Sequence, residues 1–505
     1  MSNKLKRCFK LFIAGIACGI AISYPYLLPF YILGYCYLIV SVTNFRFSNF
    51  DFLQGLLFGF GFFLASMHWI VNPFLVYEEH KSLAPFVLII FPLAMGSFFS
   101  VSSVLISGLV TVSRIDENYF LTKCWLISLF LFSSEYLRSF LFGGLPLNLN
   151  SHLWAFNDRL ISIASFIGVF GLSFLTIFWL TLIALFKNKK RKFFFLILIC
   201  FPLLLYSIPQ INIDKKNVDE KVVIRVIQPN IPQDEKWNRS LFQKHLDKLL
   251  QLTNSDNYKE TIVIWPEVAL TLYLNENQDL INYIRNNIKD NTTVITGALR
   301  RVFKNKFEIF NSLYVLNNEK FDYYDKKRLV PFGEFIPLRS MLDFTKLTPG
   351  NSDFNIGTKE NLIELKYKSK AFIFEPSICY EAIFQTFSHQ QISLIINITN
   401  DAWFGSTTGP SQHLKSSILR AVEKGVPLVR SANSGISVIV NSNGKIVDRI
   451  NLNKSGFIEQ EINLGSNDTF FMKHGNKTIY ILIIFIFIVS FFIDILIKKR
   501  KDLKI

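Results

Sequence analysis

The segment Thr-Ile-Val-Ile-Trp-Pro-Glu, residues 261–267, joins a short apolar run to a polar residue at the point where that run ends. A few β-branched residues in a row, bounded by proline, are typical of a buried strand. Glu267 then lies in the loop that follows the strand. Loops at strand ends carry much of the chemistry of α/β domains, because their side chains are free of the sheet. The segment therefore predicts a sheet-based domain with a candidate acidic group at one strand end.

Two more segments repeat this arrangement of a strand followed by a reactive side chain. Lys326 follows residues 321–325, and Cys379 follows the apolar residues that end at Ile378. Other strand and helix patterns alternate between about 221 and 463, which predicts an α/β domain. The strands predicted are Val222–Gln228, Thr261–Trp265, Thr293–Thr296, Lys370–Ile378, Leu394–Thr399, Ser437–Asn441 and Gly456–Ile462, and the helices 239–254, 275–289 and 410–424. Asn441–Gly444 has the composition of a hairpin turn.

The rest of the chain is far more apolar than an ordinary soluble enzyme. Of its 505 residues, 50% are hydrophobic and only 18% are charged, which excludes a disordered or collagen-like chain. Long apolar segments fill the first 210 residues or so, and one more follows the α/β domain. A helix needs about 20 apolar residues to cross a bilayer. We therefore predict about eight spans: 9–24, 26–43, 52–72, 84–112, 121–142, 158–186, 193–209 and 478–497.

Basic residues cluster at three places that an eight-span chain would put on one side of the membrane. They precede the first span, separate the sixth from the seventh and follow the last: Lys4, Lys6, Arg7, Lys10, Lys187, Lys189, Lys190, Arg191, Lys192, Lys498, Lys499, Arg500, Lys501 and Lys504. Positive residues mark the cytoplasmic side. We expect both termini in the cytoplasm and the α/β domain on the opposite side. Because these clusters supply most of the net charge of +16, that charge does not indicate a nucleic-acid partner.

Cysteine usage leaves the α/β domain with a single thiol. Of the six cysteines only Cys379 lies there, so no disulfide can form inside the domain. In an outward-facing domain such a cysteine is either buried filler or a working thiol. No CxxC pair or His/Cys cluster predicts a metal site.

Glutamate, lysine and cysteine together make a workable set for nucleophilic catalysis. The thiol of Cys379 needs a base to become a thiolate, and the carboxylate of Glu267 can take that proton. A tetrahedral intermediate needs a positive charge or N–H donors near its oxyanion, which Lys326 and the backbone after the cysteine could supply.

The three segments together resemble the nitrilase superfamily, whose catalytic residues are Glu, Lys and Cys in that order along the chain. More closely, nearly the whole chain is similar to the apolipoprotein N-acyltransferase family. The matching motifs are Gln228–Gln233 with Lys236 and Trp237, Trp265–Glu267, Tyr324–Lys326, Leu329–Pro337, Ile378–Glu381, Asn400–Gly405, Gly409–His413 and Arg430–Gly435. Glu135–Arg138 and Gly144–Pro146 also match, whereas Leu145–Leu147 stands where the family usually has Phe-Pro-Trp.

The resemblance implies an architecture and a place in the cell. We expect a polytopic α-helical membrane domain with about seven spans over 1–212, an α/β nitrilase-like αββα sandwich as the catalytic domain over 218–468, and a C-terminal transmembrane helix over 476–498. The resemblance places the protein in the bacterial inner membrane, with the catalytic domain in the periplasm. It also implies a monomer that needs no metal or dissociable cofactor.

The resemblance also implies a reaction and the residues that perform it. An acyl chain would pass from a phospholipid similar to phosphatidylethanolamine, through a thioester, to the N-terminal amine of an S-diacylglyceryl-cysteine apolipoprotein. Glu267 would be the general base, Lys326 would stabilise the tetrahedral intermediate and Cys379 would carry the thioester. Four other residues would hold the lysine, shape the pocket or cover it: Glu334, Tyr380, Glu381 and Trp237.

Other interpretations use the same residues differently. A membrane-tethered amidase acting on a small amide would share the three catalytic residues. A transporter or assembly factor with an inactive outer domain would not need Cys379, so a Cys379→Ala change would leave its function intact. A Cys–His protease would use His413, but Gly409-Pro410 before it favours a helix start there. Each of these interpretations leaves part of the motif set without a role.

Three charged residues in the apolar segments have structural as well as functional interpretations. Glu135 and Arg138 lie one helical turn apart near the end of a predicted span. The sequence is equally compatible with a structural salt bridge between them and with a functional role. Asp494 is expected to extend toward the interface or to pair with the lysines that follow it.

Overall fold

The computed structural model of the chain describes residues 3–43, 50–112, 119–186, 191–210, 221–255, 260–290, 292–317, 321–339, 346–350, 352–368, 370–388, 390–465 and 468–503. The chain divides into two compact units. The first comprises Met1–Val71, Pro85–Gln210 and Thr469–Ile505, and the second Asn72–Ala84 and Ile211–Asp468. Four of the basic residues used to predict orientation lie outside the described residues, as do the predicted boundaries at 212 and 218: Lys187, Lys189, Lys190 and Lys504.

Helices occur in both units. In chain order the α-helices are α1 (Asn3–Ala21), α2 (Leu28–Thr43), α3 (Phe50–Ser66), α4 (Asn72–Leu75), α5 (Ala84–Val112), α6 (Phe120–Arg138), α7 (Asp158–Ile161), α8 (Ala164–Leu185), α9 (Arg191–Ser207), α10 (Phe242–Asn254), α11 (Gln278–Asn286), α12 (Gly409–Lys424), α13 (Phe470–His474) and α14 (Lys477–Asp502).

The first unit is helical, and a helix lies at each of the eight positions predicted to span the membrane. Five stretches are long and apolar enough to cross a bilayer, and a sixth qualifies if α3 and the bent segment after it form one span. The five are Pro25–Thr43, Glu78–Val110, Phe120–Arg138, Ala164–Leu185 and Lys477–Asp502. Neither α1, which begins with basic residues, nor the short apolar Leu196–Ser207 is among them. The described residues therefore support five or six spans of the eight predicted.

Glu135 and Arg138 brace a loop of the first unit instead of pairing with each other. The Glu135 carboxylate accepts hydrogen bonds from the backbone and side-chain nitrogens of Asn150, at 3.0 and 2.6 Å. The Arg138 guanidinium donates to the carbonyl oxygens of Leu145 and Leu147, the latter at 3.0 Å. Arg138 thus holds both ends of Leu145–Leu147, the segment in which the family motif departs from its usual sequence, and Glu135 holds Asn150 beyond it.

Asp494 caps a helix, a role that we did not predict for it from the sequence. Its carboxylate accepts hydrogen bonds from the backbone nitrogens of Leu121 and Thr122, at 3.2 and 2.9 Å, and from the Thr122 hydroxyl at 2.9 Å. These are free N–H groups of the first turn of α6, where a carboxylate is stabilising. The contact ties α14 to α6.

The second unit is built on two β-sheets. Its strands are β1 (Lys221–Gln228), β2 (Ile262–Ile264), β3 (Leu270–Tyr273), β4 (Thr293–Phe303), β5 (Phe307–Leu316), β6 (Phe321–Asp325), β7 (Ile363–Tyr367), β8 (Lys370–Ile378), β9 (Leu394–Thr399), β10 (Leu428–Ala432), β11 (Ser437–Val440), β12 (Ile446–Ile450) and β13 (Gly456–Asn463). One sheet has the order β13-β1-β2-β4-β5-β6, with β3 beside β4, and the other the order β12-β11-β10-β9-β8-β7.

The two sheets face each other across a shared apolar core. Val222, Ile224 and Val226 of β1 lie in one cluster with Phe374 of β8 and Ile396 of β9. On the far side of the first sheet, Leu246 and Leu249 of α10 and Ile281 and Ile284 of α11 form a second cluster with Ile227 and Val294. α12 packs beside β10 of the other sheet. The unit is therefore an α/β sandwich with the two sheets inside.

Strands β2, β4 and β1 are parallel neighbours, as are β8, β9 and β10. Glu267 follows β2 in one sheet, and Cys379 follows β8 in the other. All seven predicted strands are present, and the turn at 441–444 joins the antiparallel pair β11 and β12. β3, β5, β7 and β10 were not predicted.

Candidate active site

Glu267 is held in a loop that closely approaches β4. The loop is fixed by hydrogen bonds from the Trp265 nitrogen to the Ile295 carbonyl (2.8 Å) and from the Gly297 nitrogen to the Pro266 carbonyl (3.2 Å). A Cβ at Gly297 would lie 2.7 Å from the Glu267 Cα and 2.3 Å from the Val268 nitrogen, so only glycine fits at that position. This close approach is the reason for the isolated Gly297.

Lys326 lies between two buried carboxylates at the end of β6. Its ammonium is 2.9 Å from the Glu334 carboxylate and 3.3 Å from that of Glu267. The lysine side chain is 1% exposed. Burial alone would lower the pKa of Lys326, but the carboxylates of Glu334 and Glu267 outweigh burial and raise that pKa above its usual range. The lysine is therefore a permanent cation at physiological pH.

Asn311, in the middle of β5, joins the two carboxylates. Its side-chain nitrogen donates to Glu267 Oε1 at 2.8 Å and to Glu334 Oε1 at 3.0 Å. The backbone of Lys326 is fixed to the same residue, because its nitrogen donates to the Asn311 carbonyl at 2.9 Å. We did not predict Asn311 as a site residue. The available signal was a single amide within the apolar segment 307–316.

Glu334 is fixed by its own loop as well as by the lysine. Its second carboxylate oxygen accepts a hydrogen bond from the Val330 nitrogen at 2.8 Å, and the Glu334 nitrogen donates to the Val330 carbonyl at 2.9 Å. The motif Leu329–Pro337 thus folds back on itself and presents the carboxylate to Lys326.

Cys379 follows β8 and opens a short 3₁₀ turn, Cys379–Ile383. Its backbone φ is +49°, in the left-handed region that non-glycine residues rarely adopt, and the residue is buried. Burial, followed by the negative charge of Glu267, raises the pKa of the Cys379 thiol to about 12, while Lys326 acts in the opposite direction. All six cysteines are free thiols. A nucleophilic role for Cys379 therefore requires a base that removes its proton during the reaction.

Glu381 connects the cysteine loop with the lysine loop. Its carboxylate accepts hydrogen bonds from the Ile378 nitrogen at 2.8 Å, the Lys327 nitrogen at 2.7 Å and the Tyr324 hydroxyl at 2.8 Å. Ile378 directly precedes Cys379, and Lys327 directly follows Lys326. Glu381 therefore links the loop of the cysteine with the loop of the lysine. The ring of Tyr380 packs edge-on against Phe384, with 5.0 Å between the ring centroids. Of the two residues predicted to shape the pocket, Glu381 joins the catalytic loops directly.

His413 contacts the backbone of Cys379. Its Nε2 lies 3.0 Å from the Cys379 carbonyl oxygen, and its Nδ1 lies 2.9 Å from Asp401 and 3.0 Å from Arg430. Arg430 also donates two hydrogen bonds to Asp401, at 3.0 and 2.8 Å. His413 lies within α12, as the preceding Gly-Pro pair predicted.

Trp237 lies in a turn beside these loops. Its ring packs against a small apolar cluster that includes Val268, the residue after Glu267, and Leu329. The preceding residue, Lys236, is buried, and its ammonium donates to the Glu267 carbonyl oxygen at 2.9 Å. Burial lowers the pKa of Lys236 to about 8, although the charges of Glu267 and Cys379 partly oppose that shift. Lys236 was quoted within a motif but not predicted as a site residue.

The site thus combines a buried cation, two carboxylates that share it and a thiol within their electrostatic reach. Such a combination suits acyl transfer through a cysteine, since the cation can stabilise an oxyanion and a carboxylate can carry the proton. In the described residues no cluster of three or more His, Cys, Asp or Glu side chains has the arrangement of a metal site.

Comparison with known families covers both units of the chain. Residues 14–182 match the family model described as the apolipoprotein N-acyltransferase N-terminal domain, and residues 223–469 match the model described as carbon-nitrogen hydrolase. The second match makes the αββα unit a nitrilase-like domain. The two matches leave out residues 1–13, 183–222 and 470–505.

Curated relatives extend over almost the full length. An apolipoprotein N-acyltransferase of Rickettsia prowazekii is 33% identical and covers 95% of this chain and 97% of its own. An apolipoprotein N-acyltransferase of Rickettsia typhi is 33% identical and covers 96% of this chain and 98% of its own. An apolipoprotein N-acyltransferase of Rhizobium rhizogenes is 30% identical and covers 81% of this chain and 80% of its own. Because this identity and coverage extend through both units, the chain belongs to the apolipoprotein N-acyltransferase family.

Proposed function

We propose that the protein transfers an acyl chain from a membrane phospholipid to the N-terminal amine of S-diacylglyceryl-cysteine apolipoproteins, through a thioester on Cys379. The observation that carries the proposal is the buried group formed by Lys326, Glu267 and Glu334, together with the strained, buried Cys379. Membership in the apolipoprotein N-acyltransferase family supports the substrate class, and the apolar helices support a membrane setting.

The first half-reaction forms the acyl-enzyme. Glu267 takes the thiol proton of Cys379, and the thiolate sulfur attacks the carbonyl carbon of a phospholipid ester. The tetrahedral oxyanion is stabilised by the ammonium of Lys326. The ester C–O bond then breaks, and Glu267 returns the proton to the departing alkoxide. The products are a thioester on Cys379 and a lysophospholipid.

The second half-reaction moves the acyl chain to nitrogen. The neutral N-terminal amine of the apolipoprotein attacks the thioester carbonyl, and Glu267 accepts a proton from the attacking nitrogen. The C–S bond breaks, the amide forms, and the thiolate of Cys379 recovers its proton from Glu267. Passing through a thioester replaces one difficult acyl transfer with two easier ones.

The proposed setting follows from the charge pattern of the sequence. The basic clusters favour cytoplasmic termini and a periplasmic catalytic domain, anchored in the inner membrane by several spans. Both substrates are lipid-anchored, so tethering the catalytic domain at the membrane holds the reacting groups close together. We propose that the enzyme acts as a monomer without a metal or dissociable cofactor.

Covalent labelling tests the proposal. The purified full-length protein is incubated with phosphatidylethanolamine that carries a labelled acyl chain, denatured, and treated with or without neutral hydroxylamine. We expect a protein-bound label that hydroxylamine removes and that Cys379→Ala abolishes. Cys200→Ala is the matched control, because Cys200 is an exposed cysteine that an adventitious acylation would also reach.

The same assay separates the competing functions. A membrane-tethered amidase would show no lipid-derived label but would release ammonia from a small amide, with dependence on Cys379. A label that persists in Cys379→Ala, or that Cys200→Ala removes, would refute the proposed nucleophile. Subsequent loss of the label on addition of a diacylglyceryl-cysteine peptide would identify the acceptor.

A further inference from the structure

One turn beside Glu267 carries three buried side-chain nitrogens. Each of them has at least one N–H that donates to no acceptor among the described residues. The donors belong to Gln233, Lys236 and Trp237, which we call the donor turn. The turn is closed by a hydrogen bond from the Lys236 nitrogen to the Pro232 carbonyl at 3.1 Å. Buried N–H groups are rarely left without an acceptor, so a cluster of them in a site calls for an explanation.

Lys236 is a buried cation that feels the negative charge of Glu267 but forms no ion pair with a described carboxylate. It is 3% exposed, and its one hydrogen bond within the described residues goes to the neutral Glu267 carbonyl at 2.9 Å. No described carboxylate lies within 4.0 Å of its ammonium, whereas the equally buried Lys326 and Lys424 have carboxylates at 2.9 and 2.5 Å. Burying an unpaired ammonium is costly. An anion that reaches Lys236 would remove that cost.

The orientation of the Gln233 amide is fixed by a relay of amides. The Ile231 nitrogen can only donate, so the Asn433 atom it contacts at 3.0 Å is the oxygen. Asn433 then donates to the Asn400 oxygen at 3.1 Å, and Asn400 donates to the Gln233 oxygen at 2.7 Å. The relay ends on the buried Gln233 nitrogen, which has no hydrogen-bond partner among the described residues.

Trp237 and Tyr77 add further buried polar atoms. The indole nitrogen of Trp237 is buried without a described partner, although its ring is half-buried against Val268. The Tyr77 hydroxyl lies close enough to Gln233 to affect the tyrosine pKa, but the two groups do not meet in hydrogen-bond geometry. The buried polar groups of this turn that lack a hydrogen-bond partner are therefore mostly donors. Such a set of donors indicates a ligand that offers several hydrogen-bond acceptors.

We infer that the donor turn binds the phosphodiester group of the phospholipid acyl donor. A phosphodiester offers two non-bridging oxygens and a full negative charge, which match the neutral donors of Gln233 and Trp237 and the ammonium of Lys236. An ester carbonyl would leave the charge of Lys236 uncompensated, and the cationic amine of the acceptor would be repelled. The inference rests on the proposed function and adds to it the lipid group that is recognised.

Calorimetry with short-chain lipids tests this site. Full-length protein carrying Cys379→Ala, which cannot consume the lipid, is titrated in detergent with dihexanoyl-phosphatidylethanolamine and with dihexanoylglycerol, which has the same acyl chains and no phosphate. We expect the phospholipid to bind about tenfold more tightly. Adding Lys236→Gln should bring the two affinities to within about twofold of each other.

Two further variants separate charge from folding. Lys236→Arg keeps the positive charge and should keep the preference for the phospholipid, whereas Lys244→Gln removes an exposed charge from α10 and should change neither affinity. Equal binding of both lipids by the parent protein, or an undiminished preference in Lys236→Gln, would overturn the inference.

Inorganic phosphate distinguishes a lipid phosphate from a free one. Phosphate that binds at the donor turn as tightly as the phospholipid would overturn recognition of the lipid and point to a free-phosphate site. These titrations need no thioester. Failure of the labelling assay would therefore refute the proposed function without affecting the calorimetric result.

Discussion

His413 Nε2 lies 3.0 Å from the carbonyl oxygen of Cys379 and so holds the backbone of the residue proposed as nucleophile. A left-handed backbone at a non-glycine residue costs about 1 to 3 kcal/mol and persists only where its surroundings enforce it. Here α12 supplies His413, and the ion pair of Asp401 with Arg430 fixes the imidazole from behind. The side chains of His413, Asp401 and Arg430 are all buried.

Replacing His413 should therefore slow acyl transfer without weakening lipid binding. We expect His413→Ala to lower kcat about 10- to 100-fold, because small displacements of a reacting group have large effects on rate. KM should change by less than about twofold, since the imidazole does not reach the lipid. His413→Gln, which can donate to the same carbonyl, should restore much of the rate. An unchanged kcat in His413→Ala would remove this residue from the positioning of Cys379.

Asp401 should contribute stability that disappears in acid. Although burial opposes it, the charges of Arg430 and His413 lower the pKa of Asp401 from 3.8 to about 2. The folded pKa lies below the unfolded one, so the stabilisation is complete above about pH 4 and is lost as the pH falls toward 2. Its size is on the order of 2 kcal/mol. In detergent, the Tm of the wild type should fall between pH 4 and 2 more steeply than that of Asp401→Asn. Parallel slopes would contradict the assignment.

Glu267→Gln should have opposite effects on two reactions of the same thiol. The negative charge of Glu267 helps to raise the pKa of Cys379, so its removal should lower that pKa and speed alkylation by iodoacetamide at pH 9 to 10. Acyl-enzyme formation should be lost, because the lipid reaction needs a carboxylate to carry the proton. Mass spectrometry of Cys379 can follow both products. If alkylation and acylation fell together, Glu267 would be a structural residue and not the base.

Asn311 should matter to catalysis although it is not one of the motif residues. Its amide donates to both Glu267 and Glu334, so Asn311→Leu would remove two hydrogen bonds and let the carboxylates repel each other. We expect the rate of acyl-enzyme formation to fall about 100-fold, as it does when a preorganised donor is lost. Asn317→Leu at the end of the same segment serves as a comparison. A rate within twofold of the wild type in Asn311→Leu would show that Lys326 alone fixes the carboxylates.

The strands that precede the candidate catalytic residues could be predicted from the sequence, because their apolar patterns are local. The apolar run before Glu267 is β2, and the one before Cys379 is β8 with the predicted bounds. In these cases the local pattern and the tertiary structure agree. The family resemblance, and not a local pattern, implied that Glu334 holds Lys326, and the two side chains are in contact.

Residues that act across the sandwich could not be predicted in the same way. Asn311 reaches the carboxylates because β5 lies beside β6, and a strand pairing is not visible in local periodicity. The relay from Ile231 to Gln233 passes through Asn400 and Asn433, which are about 170 and 200 residues away in sequence. The helix-capping role of Asp494 was not predicted, because its partner Thr122 lies 372 residues away. Long-range polar contacts of this kind depend on topology.

Lys326→Met should separate the stability of the buried charge group from its catalytic function. The change leaves the carboxylates of Glu267 and Glu334 without their shared cation, which should destabilise the protein by about 3 to 5 kcal/mol and lower its Tm. The double variant Lys326→Met/Glu334→Gln removes one of the unpaired charges as well, so its Tm should recover in part. Acyl-enzyme formation should be absent from both variants, because neither has a cation to stabilise the oxyanion. If the double variant regained acyl-enzyme formation together with its Tm, Lys326 would serve the fold and not the chemistry.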